Sequence, residues 1–121
     1  MPIERRLLYM LATLVWMGVI FYLSGIPDLK SQLPTILDWV LRKLAHLTEY
    51  AILFYLLWRS CDDFRFRTAA VFIFAILYAI SDEFHQGSVA GRTPSGSDVL
   101  IDAAGMCIAY TKLKPPKRAG V

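Results

Sequence analysis

The chain has 121 residues, a length that suits one domain and leaves little room for a second. Apolar residues make up 56% of it without counting glycine, whereas a soluble domain is about 45–50% apolar with glycine included, so an ordinary soluble domain is disfavoured. The net charge of +3 is too small to indicate a nucleic-acid partner. Cys61 and Cys107 lie far apart without CxxC spacing, which argues against a disulfide framework or a zinc knuckle.

The first apolar run extends from Leu7 to Leu23, and its 17 residues carry no charge. Basic residues precede it, a pattern that is also typical of a signal peptide. The run is long for the apolar core of such a peptide, however, and no Ala-x-Ala-like cleavage site follows it. The sequence therefore favours an uncleaved first membrane span over about residues 7–23.

The second predicted span begins with an amphipathic lead-in. Residues 28–34 form a predicted loop, because prolines bracket a polar stretch. From Thr35 onward the apolar residues recur at helical spacing, with charged residues on the other face. This pattern is typical of a helix that approaches the membrane at its surface. The apolar run that follows, interrupted by Thr48 and Glu49, predicts a second span over about residues 44–58.

The third and fourth spans are short and carry polar residues. After a charged loop, the third apolar run covers only residues 68–80, roughly 20 Å of helix against a hydrocarbon core roughly 30 Å thick. We therefore expect the helix to continue through His85, so that the span covers about residues 68–85. The fourth span is predicted over about residues 97–110 and contains Asp102. The fold class expected is an all-α integral membrane protein with four short transmembrane helices.

The distribution of basic residues predicts the orientation of these spans. Four spans place both termini on one side, together with nine basic residues: Arg5, Arg6, Arg59, Arg65, Arg67, Lys112, Lys114, Lys117 and Arg118. The other side holds Lys30, Arg42, Lys43 and Arg92. By the positive-inside rule both termini face the cytoplasm. We therefore expect a multi-pass protein of the cytoplasmic membrane, with segments 24–46 and 86–97 facing outward.

Each of the last three predicted helices has one polar stripe, and each stripe lies at the predicted outer end. The stripes contain Lys43, His46, Glu49 and Tyr50; then Tyr78, Asp82, His85 and Gln86 with Glu83 beside them; and then Asp98, Asp102, Gly105 and Ala109. An ionisable group at the centre of a membrane helix costs about 2.5–3.5 kcal/mol on insertion scales. The least costly arrangement points all three stripes inward at one shared site.

Several of these residues also have structural explanations. Asp98 follows Ser95 in a capping-box pattern and could simply cap the fourth helix. Lys43 could snorkel to the interface, and His46 and Tyr50 could be interfacial residues. Glu49 and Asp82 could form structural ion pairs with Lys43 and Arg92, while Gly105 and Ala109 suit a helix-packing face. The sequence contains no HExxH or comparable motif, and we predict neither a metal site nor a cofactor.

The polar residues occur in a pattern that resembles the VanZ-like family. The matching motifs are Lys43-x-x-His46, Glu49-Tyr50, Asp82-Glu83-x-x-Gln86, Arg92, Ser95-x-x-Asp98 and Asp102-x-x-Gly105, preceded by Tyr22-Leu23-Ser24 and Pro27. The resemblance covers roughly residues 16–110, and the spacing holds in three separate segments. Position 102 is Asp where many relatives carry Asn, so its role is either ionic or purely hydrogen-bonding.

The resemblance implies a bacterial membrane protein, since the family is named for a member linked to low-level teicoplanin resistance. We therefore expect an outward-facing polar pocket that binds an envelope component, either a lipid-linked wall precursor or a lipoglycopeptide. Lys43 and Arg92 would contact anionic groups. His46, Glu49, Asp82 and Asp102 would orient the ligand or move protons. The remaining predicted binding residues are Tyr50, Glu83, Gln86 and Asp98.

Two other functions use the same residues. In a membrane-embedded hydrolase or transferase acting on an envelope lipid, His46 would be the general acid or base. Glu49, Asp82 or Asp102 would be its orienting carboxylate. In a proton-linked transporter the carboxylates and His46 would relay protons. Four short spans offer a complete transport path only in an oligomer, and whether the protein forms a homo-oligomer stays open.

Overall fold

A computed structural model describes residues 2–25, 35–62, 65–89 and 96–114. Over these ranges the chain forms four α-helices and no strand: α1 (Ile3–Ser24), α2 (Thr35–Ser60), α3 (Arg67–Gly87) and α4 (Gly96–Leu113). Each predicted span lies within one of these helices, which confirms the all-helical fold class. The predicted amphipathic lead-in and second span form one continuous helix of 26 residues.

Successive helices run in opposite directions. Near its start α1 contacts the end of α2, where Arg6 Nε donates to the carbonyl oxygen of Ser60 at 3.1 Å. Further along, the Trp16 indole donates to the carbonyl oxygen of Glu49 at 2.9 Å, so α1 and α2 are antiparallel. The rings of Trp58 and Tyr110 lie 5.7 Å apart, which places the end of α4 at the end of α2. The described part of α1 therefore begins at the end of the bundle where α4 finishes.

Helix α2 is the centre of the bundle and contacts the other three helices, most extensively α4. Gly105 makes the close approach of α2 and α4 possible. A Cβ at this position would collide with the carbonyl oxygen of Leu47 and lie 3.3 Å from the backbone nitrogen of Ala51. Ala109 packs one turn later against the buried core. The small residues of α4 thus form the predicted helix-packing face.

The apolar core lies mainly in the half of the bundle that contains the end of α2. Phe54 is its central side chain, with its ring 4.7 Å from that of Phe72 and 5.8 Å from that of Trp58. Ala75 and Ala79 are fully buried, one turn apart on α3, and their small size lets that helix pack closely. The other half of the bundle contains the buried polar residues.

Much of the outer surface is apolar. Long side chains along α1, among them Leu7, Leu11, Leu14 and Phe21, are more than half exposed. Helices α1 and α3, with 22 and 21 residues, are long and apolar enough to cross a membrane, because each extends roughly 30 Å. Helices α2 and α4 carry several ionisable residues and do not meet the same test. The structure therefore identifies two candidate membrane spans among its four described helices.

Candidate functional site

All four described helices bring polar side chains to the same end of the bundle. Ser24 is the last residue of α1, and Asp82 lies near the end of α3. Helix α2 contributes Lys43, His46 and Tyr50 from its first half and its middle, and α4 contributes from its first two turns. We refer to these side chains as the polar cluster, which consists of Ser24, Lys43, His46, Tyr50, Asp82, Asp98 and Asp102.

Asp82 connects three helices within the polar cluster. Its carboxylate accepts a hydrogen bond from the Ser24 hydroxyl and another from the Tyr50 hydroxyl at 3.2 Å. Asp82 is only 4% exposed, and Tyr50 is fully buried. A buried carboxylate requires such donors, because burial removes the water that would otherwise solvate its charge. Among the described residues these two hydroxyls are its donors, while Arg92, one of its predicted ion-pair partners, lies outside the described residues.

Asp102 and His46 form the second connection, between α4 and α2. His46 Nδ1 lies 3.1 Å from Asp102 Oδ1. Asp102 is 0% exposed, and its second oxygen, Oδ2, has no hydrogen-bond partner in the described part of the chain. Leaving a buried polar group unsatisfied typically costs about 1–3 kcal/mol. This oxygen is therefore a candidate acceptor for a donor group on a ligand.

Lys43 and Asp98 form an ion pair between α2 and α4. The Lys43 ammonium also lies 5.6 Å from the centre of the Trp39 ring. Asp98 is in the first turn of α4, where a carboxylate is stabilised by the positive end of the helix. An anionic ligand at Lys43 would therefore compete with Asp98 for the ammonium group.

Three of the other predicted site residues lie on the same helices but outside the polar cluster. Glu83 and Gln86 are buried on α3, and Glu49 is half-buried on α2. Arg92, the predicted second anion contact, lies outside the described residues, as does Ser95, the proposed partner of Asp98 in a capping box. Across the described ranges, no three or more His, Cys, Asp or Glu side chains are grouped so that they could hold a metal ion.

Two residues of this region were not among the predicted site residues. The Ser24 hydroxyl was missed because a serine at the end of an apolar helix also suits the membrane interface, although it belongs to the Tyr22-Leu23-Ser24 motif. His85 stacks on Phe21 with ring centres 3.9 Å apart. Its Nδ1 is buried, and no described residue is a hydrogen-bond partner for it. His85 was noted in the α3 stripe but was not assigned a role.

Acidic side chains outnumber basic ones at this end of the bundle. Among the described residues the carboxylates are Asp38, Glu49, Asp82, Glu83, Asp98 and Asp102, whereas the basic residues are Arg42 and Lys43, with the histidines His46 and His85. Like charges close together in a medium of low polarity repel one another strongly. The region is therefore suited to ligand groups that donate hydrogen bonds, such as hydroxyls and amines.

A groove of about 530 Å³ lies beside the polar cluster, between the end of α3 and the start of α4. Its lining includes Ile80, Glu83 and Phe84 from α3 and Gly96 and Val99 from α4. The groove and the polar cluster are adjacent along both helices, since Glu83 follows Asp82 and Val99 follows Asp98. We refer to this feature as the α3–α4 groove.

Comparison with known proteins gives one match. The sequence model of the VanZ/LLP1 family matches residues 7–114, a range that contains α2, α3 and α4 entirely and most of α1. No curated protein and no solved structure matches the chain.

Proposed function

The chain belongs to the VanZ/LLP1 family, and from this premise we propose that it is a bacterial inner-membrane protein that crosses the bilayer four times. The apolar surfaces of α1 and α3 support this proposal, because side chains such as Leu8 and Leu77 are more than half exposed and would contact lipid. The alternating directions of the helices also suit four successive crossings. Helices α2 and α4 would then cross with their ionisable residues facing each other.

We further propose that the polar cluster binds an amphiphilic component of the cell envelope from the outer side, such as a lipid-linked wall precursor or a lipoglycopeptide. One observation carries this proposal: buried ionisable side chains from α2, α3 and α4 converge at one end of the bundle. A bundle stabilised only by packing would be expected to avoid so many costly groups. Their retention in one place favours a binding site.

The roles follow from the partners of each group. Asp102 Oδ2 would accept a hydrogen bond from a hydroxyl or amine of the ligand. Lys43 and Arg92 would contact anionic parts of the ligand. Lys43 would leave its ion pair with Asp98 and pair with the ligand instead. Ser24 and Tyr50 would hold Asp82 in place by donating to it.

The test is lipid retention. The full chain is purified in detergent from bacterial membranes, and the lipids that remain bound are extracted and identified by mass spectrometry. The Lys43→Ala, Asp98→Ala double variant removes both members of the ion pair at the site, so that neither charge is left unpaired. The matched control removes the Asp38–Arg42 ion pair of α2, which is not part of the polar cluster.

We expect an envelope lipid to copurify with the wild type and with the Asp38→Ala, Arg42→Ala control, and to be lost from the site variant. Retention of the same lipid by all three proteins would contradict the binding site. The site variant must elute as the same monodisperse species as the wild type, so that loss of lipid is not loss of fold.

The His46–Asp102 hydrogen bond also favours a second candidate function, a hydrolase or transferase that acts on an envelope lipid. Asp102 would hold the imidazole through Nδ1, and Nε2 would exchange a proton with the reacting group. Under this proposal His46→Gln retains the copurified lipid but stops its conversion, which the same mass-spectrometric measurement follows over time. Absence of any conversion by the wild type leaves binding as the supported function.

A further inference from the structure

We propose that the α3–α4 groove holds a hydrocarbon chain of the amphiphile whose polar part binds at the polar cluster. This inference rests on the proposed function and adds to it the position of the apolar part of the ligand. The ligand class is then a lipid with at least one hydrocarbon chain, which enters the protein from the bilayer between the end of α3 and the start of α4.

The first support is the chemistry of the groove. Its wall is mainly apolar, with Ile80, Phe84 and Val99 contributing hydrocarbon surface. Its volume of about 530 Å³ lies within the range of roughly 300–1,000 Å³ that is typical of small-molecule sites. On the α4 side the groove is lined by Gly96, which has no side chain to fill it. A Cβ added there would meet no described atom within 4 Å, so the space around this residue is open. The space is therefore suited to a flexible apolar chain.

The second support is that the groove continues an exposed apolar stripe on α3. Ile73, Leu77, Ile80 and Phe84 recur at spacings of three and four residues and therefore share one helix face. Leu77 is 61% exposed and Phe84 is 79% exposed. In a membrane this stripe would be in contact with lipid chains. A hydrocarbon chain could pass along it into the groove, because the stripe and the groove share Ile80 and Phe84.

The third support is the position of the groove relative to the polar cluster. Asp82 and Glu83 are consecutive, yet Asp82 contacts Ser24 and Tyr50 inside the bundle, whereas Glu83 lines the groove. Asp98 pairs with Lys43, and the next residue, Val99, lines the groove. A ligand with its chain in the groove would thus have its polar part beside the polar cluster. One amphiphile can occupy both.

The experiment uses a photoreactive lipid as a probe of the groove. The full chain is placed in nanodiscs of phosphatidylethanolamine and phosphatidylglycerol, with part of the phosphatidylglycerol carrying a diazirine in the middle of one acyl chain. After illumination, the labelled peptides are identified by mass spectrometry. Labelling of the exposed α1 residues Leu11 and Leu14 reports general contact with the bilayer and serves as the internal reference.

Gly96→Leu is the test variant, because Gly96 lines the groove and a Cβ added there meets no described atom within 4 Å, so that a bulkier side chain can be placed at the groove without a collision at Cβ. Gly18→Leu is the matched control, since a Cβ at Gly18 also meets no described atom within 4 Å, but this residue lies on α1, away from the groove. Both variants are accepted only if they remain monodisperse with wild-type helicity.

In the wild type and in Gly18→Leu we expect labelling of the peptides that contain Ile80–Phe84 and Gly96–Val99. In Gly96→Leu we expect several-fold less labelling of these peptides, with the α1 reference unchanged. Absence of groove labelling in the wild type, as would occur if another part of the chain covers the groove, overturns the proposal. So does labelling that Gly96→Leu leaves unchanged.

These outcomes are separable from those of the lipid-retention test. If an envelope lipid copurifies and depends on Lys43 and Asp98, but the groove is not labelled, the polar binding site stands and the groove proposal fails. If the groove is labelled while no envelope lipid copurifies, the proposed function fails, and with it the link between the groove and the polar cluster.

Discussion

Asp82 and Asp102 are both buried, but their hydrogen bonding is different. Both oxygens of Asp82 accept hydrogen bonds, one from Ser24 and one from Tyr50, so the carboxylate connects α3 with α1 and α2. Asp102 uses one oxygen for His46, and no described residue donates to the other. We therefore interpret Asp82 as a group that stabilises the fold and Asp102 as a group that faces the ligand.

This interpretation predicts a measurable difference between two tyrosines. Tyr50→Phe removes one of the two donors to buried Asp82, and a hydrogen bond to a charged group contributes about 1.5–3 kcal/mol. We therefore expect Tyr50→Phe to lower the midpoint of thermal unfolding in detergent. Tyr22→Phe is the control, because Tyr22 is 70% exposed and its change should leave the midpoint unaltered. Equal midpoints for the two variants would show that the Tyr50–Asp82 hydrogen bond does not stabilise the fold.

At the scale of helices, the interface between α2 and α4 determines which polar side chains meet. Gly105 allows the backbones to approach at Leu47. Before this contact along both helices, His46 is hydrogen-bonded to Asp102, and about one turn earlier Lys43 forms an ion pair with Asp98. The Lys43–Asp98 ion pair, the His46–Asp102 hydrogen bond and the Gly105 contact therefore all depend on the same alignment of the two helices.

Gly105→Ala tests this alignment. The added Cβ would collide with the carbonyl oxygen of Leu47, a backbone atom that cannot rotate away, and overpacking of this kind typically costs about 1–3 kcal/mol, occasionally more. We expect a lower unfolding midpoint and loss of the lipid that the wild type retains. Gly18→Ala is the control, since its Cβ meets no described neighbour within 4 Å and alanine favours helix. A Gly105→Ala protein as stable as the wild type would contradict the close α2–α4 contact.

The helices of this fold were predictable from the sequence, and the pairs of the polar cluster were not. Apolar periodicity and length indicated all four helices, and no glycine or proline interrupts residues 35–60, so the lead-in and span form one helix. Periodicity also placed Lys43, His46 and Tyr50 on one face. It could not predict that Lys43 pairs with Asp98 or that Asp82 accepts from Tyr50, because these pairs depend on how far one helix is shifted along another.

At the scale of the whole molecule, the two ends of the bundle differ in chemistry. The end opposite the polar cluster combines basic and aromatic side chains: the Arg59 guanidinium lies 5.1 Å from the centre of the Tyr9 ring, and that of Arg67 lies 3.8 Å from the Trp58 ring. Aromatic residues are enriched at membrane interfaces, and lysine and arginine are enriched on the cytoplasmic side. This end therefore has the composition expected at a cytoplasmic interface.

The orientation of the chain in the membrane is the last prediction. Reporter fusions at position 63, between α2 and α3, and after position 118 should both report the cytoplasm, whereas a fusion at position 90, after α3, should report the outside. The physical reason is the excess of basic residues at one side, nine against four. Paired alkaline phosphatase and green fluorescent protein fusions at the same positions provide the control, because they are active on opposite sides. An external C-terminus would refute the four-span topology and, with it, the placement of the polar cluster toward the outer leaflet.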